Sequence, residues 1–292
     1  MFRRSLLTAV AVLASVRAGA RPGPLPVVAS FSILADIVRQ VGGAAVSVTS
    51  LVPPDGDAHT YEPKPSDLRA LASAKLLAVN GLGLEGWMDR LVSSAGYQGA
   101  LVTASDGVAV RRLNASEVDP HAWQDPRDGA IYARNLADAL AAADPAQAEA
   151  LLAAGREYAG KIMQTDAWIE ATLSAIPAER RTIVTSHDAF GYYGARYGVT
   201  VLAAQGIDDA GEPSARDIAR LADQIRRTGV RAVFLENMTN PDLIRALARD
   251  AGVVAGPPVY SDALSPPDGP AATYVDMLRH NTTLFAEAMG RS

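Results

Sequence analysis

The 292 residues are 49% hydrophobic and 6% aromatic, carry a formal net charge of -5 and include no cysteine. That balance leaves no basic footprint for a nucleic-acid partner. Without thiols there are no disulfides, thiolate metal sites or cysteine nucleophiles, so any metal must be held by nitrogen and oxygen donors.

The chain opens on MFRRSLLTAVAVLASVRAGA, with two arginines, an apolar run from Leu6 to Val16 and the small residues Ala18-Gly19-Ala20. This pattern predicts a cleavable secretory signal peptide over residues 1–20 and a mature chain beginning near Arg21. The apolar run is shorter than the roughly 20 residues a membrane span needs, and no later uninterrupted stretch serves. No cysteine follows for acylation. The expectation is a protein free in the periplasm, not lipid-anchored.

After the leader, β-branched apolar runs alternate with helical patterns. VVAS at 27–30 is followed by a helix through ILADIVRQVG, VSVTSLV at 46–52 by a helix through SDLRALASA, and LLAVNG starts at Leu76. The same rhythm returns with TIVTS from Thr182, a helix through AFGYYGARYG, VTVLAA at 199–204, a helix through SARDIARLADQIRRTG, and RAVFLEN from Arg231. Gly43 and Gly198 each precede a short β-branched strand, and Ser66-Asp67-Leu68 and Ala215-Arg216-Asp217-Ile218 each open a helix leading back to a strand. Two similar α/β units are the economical reading.

Pro145 to Ile176 is the longest stretch of helical character without an internal proline. Some 30 residues at 1.5 Å each make a rod of roughly 45 Å, long enough to brace two lobes. The expected plan is an N-terminal α/β lobe over 21–142, a connecting helix over 143–177 and a C-terminal α/β lobe over 178–292. Two lobes also follow from a length beyond the usual single domain. GPPVYSDALSPPDGP at 256–270 is a loop, followed by a closing helix through TYVDMLRHNTTLFAEAM.

Four histidines occur. His59 follows VSVTSLV, His187 follows TIVTS, and His121 lies in the proline-bounded DPHAWQDP. In an open α/β sheet, ligands bind at the carboxyl ends of strands. Asp262 follows the apolar run ending at Tyr260. Read alone it fits a turn or helix cap as well as a ligand. No local zinc-finger or H-E-x-x-H spacing is present, so a site built from these residues would be assembled by tertiary structure, two from each lobe. An isolated loop histidine is more often a surface or structural residue, and His280 in the closing helix keeps that reading. Trp87, Trp123 and Trp168 read as core, with Trp123 placed beside His121 to exclude water.

The segments VVASFSILADIVRQVGG, LVPPDGDAHTYEPKPSDL, DPHAWQDP, TIVTSHDAFGYYGARYGV and PVYSDALS, in this order, resemble the signature segments of the zinc and manganese solute-binding proteins of metal ABC importers, the ZnuA/TroA-like or cluster A-I family. The resemblance covers nearly all of the mature chain. It implies two Rossmann-like lobes with parallel sheets joined by one long helix, a single metal held in the cleft, and delivery to an ATP-driven membrane permease. By motif it implies His59, His121, His187 and Asp262 as ligands. Manganese-selective relatives typically carry glutamate at the third position, where this chain has His187. Imidazole suits Zn²⁺ while Mn²⁺ favours carboxylate, so zinc is the expected cargo, with Mn²⁺ or Fe²⁺ the alternative.

The histidine-rich loop of many zinc-uptake members is missing before His121. Glu62, Asp188 and Glu236 are conceivable bases, but each has a plainer expected role: Asp188 to orient a ligand imidazole, Glu236 to bond backbone at a strand end, and Glu62 to stay solvated. Asp188, Glu236 and Trp123 are the residues expected to support the ligands from behind. A zinc-dependent hydrolase would need a positioned base, and no base motif is recognisable, so no enzyme activity is expected. The chain is expected to act as a monomer, with the permease and a periplasmic metallochaperone as its partners.

Overall fold

The structure is a computed structural model and describes residues 23–115, 117–204, 215–228, 230, 232–238 and 241–290. The expected signal peptide lies outside the described residues, as do residues 205–214. Among the described residues, no helix is long and apolar enough to cross a membrane.

The first half runs β1 (Leu25–Phe31), α1 (Ser32–Gly42), β2 (Val46–Val52), α2 (Pro65–Ser73), β3 (Leu76–Val79), α3 (Met88–Ala95) and β4 (Ala100–Thr103). Its four strands form one parallel sheet in the order β2-β1-β3-β4. β1 and β3 are central, and their near-continuous apolar sequences are what burial on both faces requires. α4 (Pro126–Ala143) covers this sheet. It starts on Asp125, whose carboxylate accepts from the Arg127 N–H, with Pro126 supplying a first turn that needs no donor.

The second half runs β5 (Thr182–Thr185), α6 (Gly191–Tyr197), β6 (Thr200–Ala203), α7 (Ala215–Thr228), β7 (Ala232–Val233), α8 (Pro241–Ala251) and β8 (Val254–Ala255). β5 pairs with β6 and β7 with β8, all parallel. The Phe234 N–H donates to the Val184 carbonyl at 2.8 Å and links the two pairs. The resulting order, β6-β5-β7-β8, repeats that of the first half. The internal similarity read from the sequence is therefore a similarity of topology. In each half the order changes direction between the first and third strands. Ligand sites in such sheets form at the carboxyl ends of the strands beside that reversal.

The connecting helix α5 covers Ala148–Ser174, 27 residues, entered through a 3-10 turn at Pro145–Gln147. It is shorter than the expected 143–177, because residues 126–143 form a separate helix that ends at Asp144. α4 and α5 approach closely where Gly155 lies against Ala137, and a Cβ at Gly155 would overlap the Ala137 methyl. The lobes share a second tie that the sequence did not reveal. The final helix α9 (Tyr274–Gly290) packs along α5 and reaches α1, where the Tyr274 N–H donates to the Asp36 carboxylate at 2.8 Å.

One apolar cluster runs from the first sheet through α4, α5 and α9 into Ile183, Phe190, Tyr193 and Phe234 of the second half. A smaller cluster fills the space between the second sheet and α7 and α8. Continuous packing of this kind resists a wide hinge opening.

Candidate metal centre

Parallel strands deliver all their carboxyl ends to one edge of a sheet, and the two sheets turn those edges toward each other. His59 lies in the loop after β2. Asp57 pins that loop by accepting the His59 N–H at 2.8 Å, and Trp87 donates its indole N–H to the Ala58 carbonyl at 2.9 Å. Asp55 in the same loop has a φ of 57°, in the left-handed region where Asp is among the few side chains tolerated. His121 follows β4 and opens a 3-10 turn at Ala122–Gln124. Its preceding carbonyl, on Pro120, accepts from the Asn80 side chain at 3.0 Å. His187 lies just past the end of β5, separated from it by Ser186. Asp262 follows Tyr260, whose N–H and carbonyl are both held by Asn281 of α9, at 2.9 and 2.6 Å.

These four side chains meet. One donor atom from each lies within 4.8 Å of the others, and three of the four residues are fully buried. His59 is the outermost, with its side chain 8% exposed. Asp262 Oδ2 lies 3.1 Å from both His59 Nε2 and His187 Nε2. His121 Nε2 lies 3.1 Å from His59 Nε2 and 3.6 Å from Asp262 Oδ1. Asp262 Oδ1 is buried without a hydrogen-bond partner. A buried carboxylate oxygen left this way is costly unless a cation completes its surroundings.

The far sides of the two buried imidazoles are held by carboxylates. His121 Nδ1 lies 2.8 Å from Asp119 Oδ1, which also accepts the His121 backbone N–H at 3.0 Å. His187 Nδ1 lies 2.6 Å from Glu236 Oε2, and Glu236 Oε1 accepts from the Ser186 hydroxyl and the His187 N–H at 2.8 and 2.9 Å. His121 Nδ1 is committed outward by its hydrogen bond, His187 Nδ1 faces Glu236 Oε2 at ion-pair distance without hydrogen-bond alignment, and each Nε2 faces the common centre.

Electrostatics agree with a place for positive charge. Burial alone would lower His121, but Asp262 and Asp119 outweigh it and carry the imidazole up to about 9. His187 is likewise raised against burial by Glu236 and Asp262. Burial would raise Asp262, yet His121 and His187 hold it well below the carboxylate range. The negative groups that raise the imidazoles are the same ones that would attract a metal ion.

Other expected residues fall as follows. Trp123 is fully buried, 5.0 Å from the Phe31 ring and 5.3 Å from the His121 ring. Its indole N–H donates across the lobes to the Ser261 carbonyl at 2.8 Å, beside Gln124 Nε2, which donates to the same oxygen. Glu62 is exposed, and His280 lies 3.1 Å from the Pro258 carbonyl, away from the centre. Asp188 does not orient an imidazole. It is half-buried, with its carboxyl raised by desolvation, and Asp119 and Glu236 hold the rings in its place. Asp119 was missed by sequence reasoning. Its signal was an acid two residues before a histidine in a proline-bounded turn.

Two α/β lobes closing over one buried cluster of imidazoles and a carboxylate have the build of a solute-binding protein. The model of the ZnuA family, described as zinc-uptake complex component A, periplasmic, matches residues 27–288. The manganese-binding lipoprotein MntA of Halalkalibacterium halodurans is 34% identical over 267 residues, covering 91% of this chain and 89% of that protein. The iron-binding protein YfeA of Yersinia pestis is 31% identical, covering 98% and 93%. Among solved structures, the periplasmic zinc-binding protein TroA of Treponema pallidum superposes with a TM-score of 0.87 at 30% identity, over 92% of this chain and 100% of that one. The chain belongs to the ZnuA family of periplasmic metal-binding proteins that serve ABC importers. These are substrate-binding proteins that work with a membrane permease, not enzymes.

Proposed function

We propose that this protein captures Zn²⁺ through His59, His121, His187 and Asp262 and hands it to the permease of an ABC importer. The observation that carries the reading is the convergence of three imidazoles on one carboxylate, with donor atoms within 4.8 Å of one another and Asp262 Oδ1 otherwise unpartnered. Four protein donors of this kind suit a tetrahedral ion of borderline softness. His187 bears most of the preference, because a carboxylate in its place would favour a harder ion. The second reading is Mn²⁺ as cargo, which the names of MntA and of the streptococcal PsaA relatives favour.

Competition calorimetry separates the two. The expected result is Zn²⁺ binding at least about 100-fold tighter than Mn²⁺, with His187→Glu narrowing the gap. Comparable affinities in the parent protein defeat the zinc reading. We also propose that residues 1–20 are a cleaved signal peptide and that the carrier is a monomer free in the periplasm. The absence of cysteine supports the unanchored form. Intact mass of the exported protein tests both. A metallochaperone donor is a further expectation of the same reading.

A further inference from the structure

The two buried imidazoles are held in different ways. The partner of His187, Glu236, is fully buried and belongs to the same lobe. The partner of His121, Asp119, is fully buried too, but its second oxygen, Oδ2, accepts from Arg111 Nη1 at 2.6 Å, and the Arg111 side chain is 33% exposed. A chain of contacts therefore runs from the surface inward, Arg111 to Asp119 to His121.

All three residues belong to the first lobe, yet the outer end of the chain rests on the second. The Arg111 backbone N–H donates to the Tyr192 hydroxyl at 2.8 Å. The guanidinium lies over Gly191, at the start of α6. A Cβ there would fall on the guanidinium and 2.7 Å from Asp119 Oδ2. The missing side chain of Gly191 is thus the seat of the Arg111–Asp119 pair. Its backbone has no left-handed φ that would demand glycine, so close approach is what the residue supplies.

We propose that Arg111 is a positioning residue that makes donation by His121 depend on contact between the lobes. While α6 sits against Arg111, the guanidinium holds Asp119 and Asp119 fixes the tautomer and direction of the imidazole. When a small movement lifts α6 from Arg111, Arg111 loses Tyr192 and its seat on Gly191, and the hold on the His121 imidazole through Asp119 loosens. His187, with its support inside its own lobe, keeps its orientation throughout. Metal release then begins at His121. This inference rests on the metal-binding reading of His121 given above.

Gly191→Ala tests the relay from the opposite lobe without replacing a ligand or its carboxylate; the added Cβ presses on the Arg111 guanidinium and on Asp119 Oδ2, the two ends of the pair. The added Cβ has to push the guanidinium aside, so a merely structural effect would lower the stability of the metal-free protein and leave the loaded site as in the parent. The relay predicts instead a changed Co²⁺ absorption spectrum and loss of Co²⁺ to a chelator about tenfold faster, the low end of what losing an outer partner of a metal-bound histidine costs. Arg111→Gln is expected to match it, and Arg111→Lys, which keeps a charged donor for Asp119, to restore much of the parent rate. A parental spectrum and rate in Gly191→Ala, or an Arg111→Gln effect that Arg111→Lys does not reduce, overturns the proposal. His121→Ala in the same titration separates the two readings. If it loses the spectrum while Gly191→Ala does not, only the relay fails; if it keeps the spectrum, the metal-binding reading fails.

Discussion

The Ser261 carbonyl, next to Asp262, receives two donors from the segment that carries His121: the Trp123 indole N–H and Gln124 Nε2, each at 2.8 Å. Trp123→Phe removes one donor while the oxygen keeps the other, so the lost hydrogen bond costs about 1 kcal/mol. The smaller ring leaves roughly 40 Å³ less filled volume, which at about 24 cal/mol per Å³ adds ~1 kcal/mol. Gln124→Ala costs about 1 kcal/mol for the hydrogen bond, because Trp123 still serves the carbonyl, and about 1 kcal/mol more for the cavity left by its buried side chain. In the double variant the buried carbonyl has neither donor, and a further penalty of about 1–2 kcal/mol is expected beyond the sum of the singles. Urea unfolding of the metal-free proteins, followed by far-UV circular dichroism because a tryptophan is removed, measures all three. The same double variant is expected to bind metal more weakly, since Asp262 and His121 are then no longer tied across the lobes. Additivity within about 0.5 kcal/mol refutes the shared-acceptor reasoning. Unchanged metal affinity refutes the role assigned to this tie.

Two further outcomes concern pH. In the metal-free protein His121 is carried up to about 9 against its burial, so below that pH an incoming metal must displace a proton. Affinity is therefore expected to fall as pH drops from about 9, not only below the ordinary imidazole range. Calorimetry at pH 7.5 in buffers of different ionisation enthalpy should report about one proton or more released per Zn²⁺ bound, and no release would contradict the assigned electrostatics. Asp128, in the first turn of α4, is pushed up to about 7 by desolvation and by the neighbouring Asp125. A carboxyl raised in the folded state disfavours folding above that pH, and the penalty fades as pH falls from about 7 toward the unfolded value of 3.8. Asp128→Asn should therefore melt higher than the parent at pH 8 and converge with it near pH 4, whereas an equal difference at both pH values would reject this account.

The strands that were legible carry apolar, β-branched runs: β1, β2, β3, β5 and β6 fall on VVAS, VSVTSLV, LLAVNG, TIVTS and VTVLAA, through burial in β1, β3 and β5 and through β-branched residues in the less buried β2 and β6. β4 escaped notice because its four residues are only intermediate or exposed and carry little pattern. RAVFLEN reads as a full strand but pairs as a regular strand only over Ala232–Val233, then continues through single contacts at Phe234 and Glu236. Asp188 looked like the partner of His187 because it is adjacent in sequence. Just after a strand, neighbouring side chains diverge, and the acid that reaches the ring is Glu236, in the segment beyond β7.

By itself the sequence determined the repeated α/β rhythm, the long helix, a donor set restricted to nitrogen and oxygen, and the candidates His59, His121, His187 and Asp262. These depend on local periodicity and on residue type, which are written one position at a time. Only the tertiary structure decided that the four donors share one point, that Asp119 and Glu236 turn the rings, that Arg111 leans on Gly191 of the other lobe, and that one core runs through both halves. Those facts depend on distances between segments far apart in the chain, and parallel sheets place such segments together through crossovers that leave no local mark in either one.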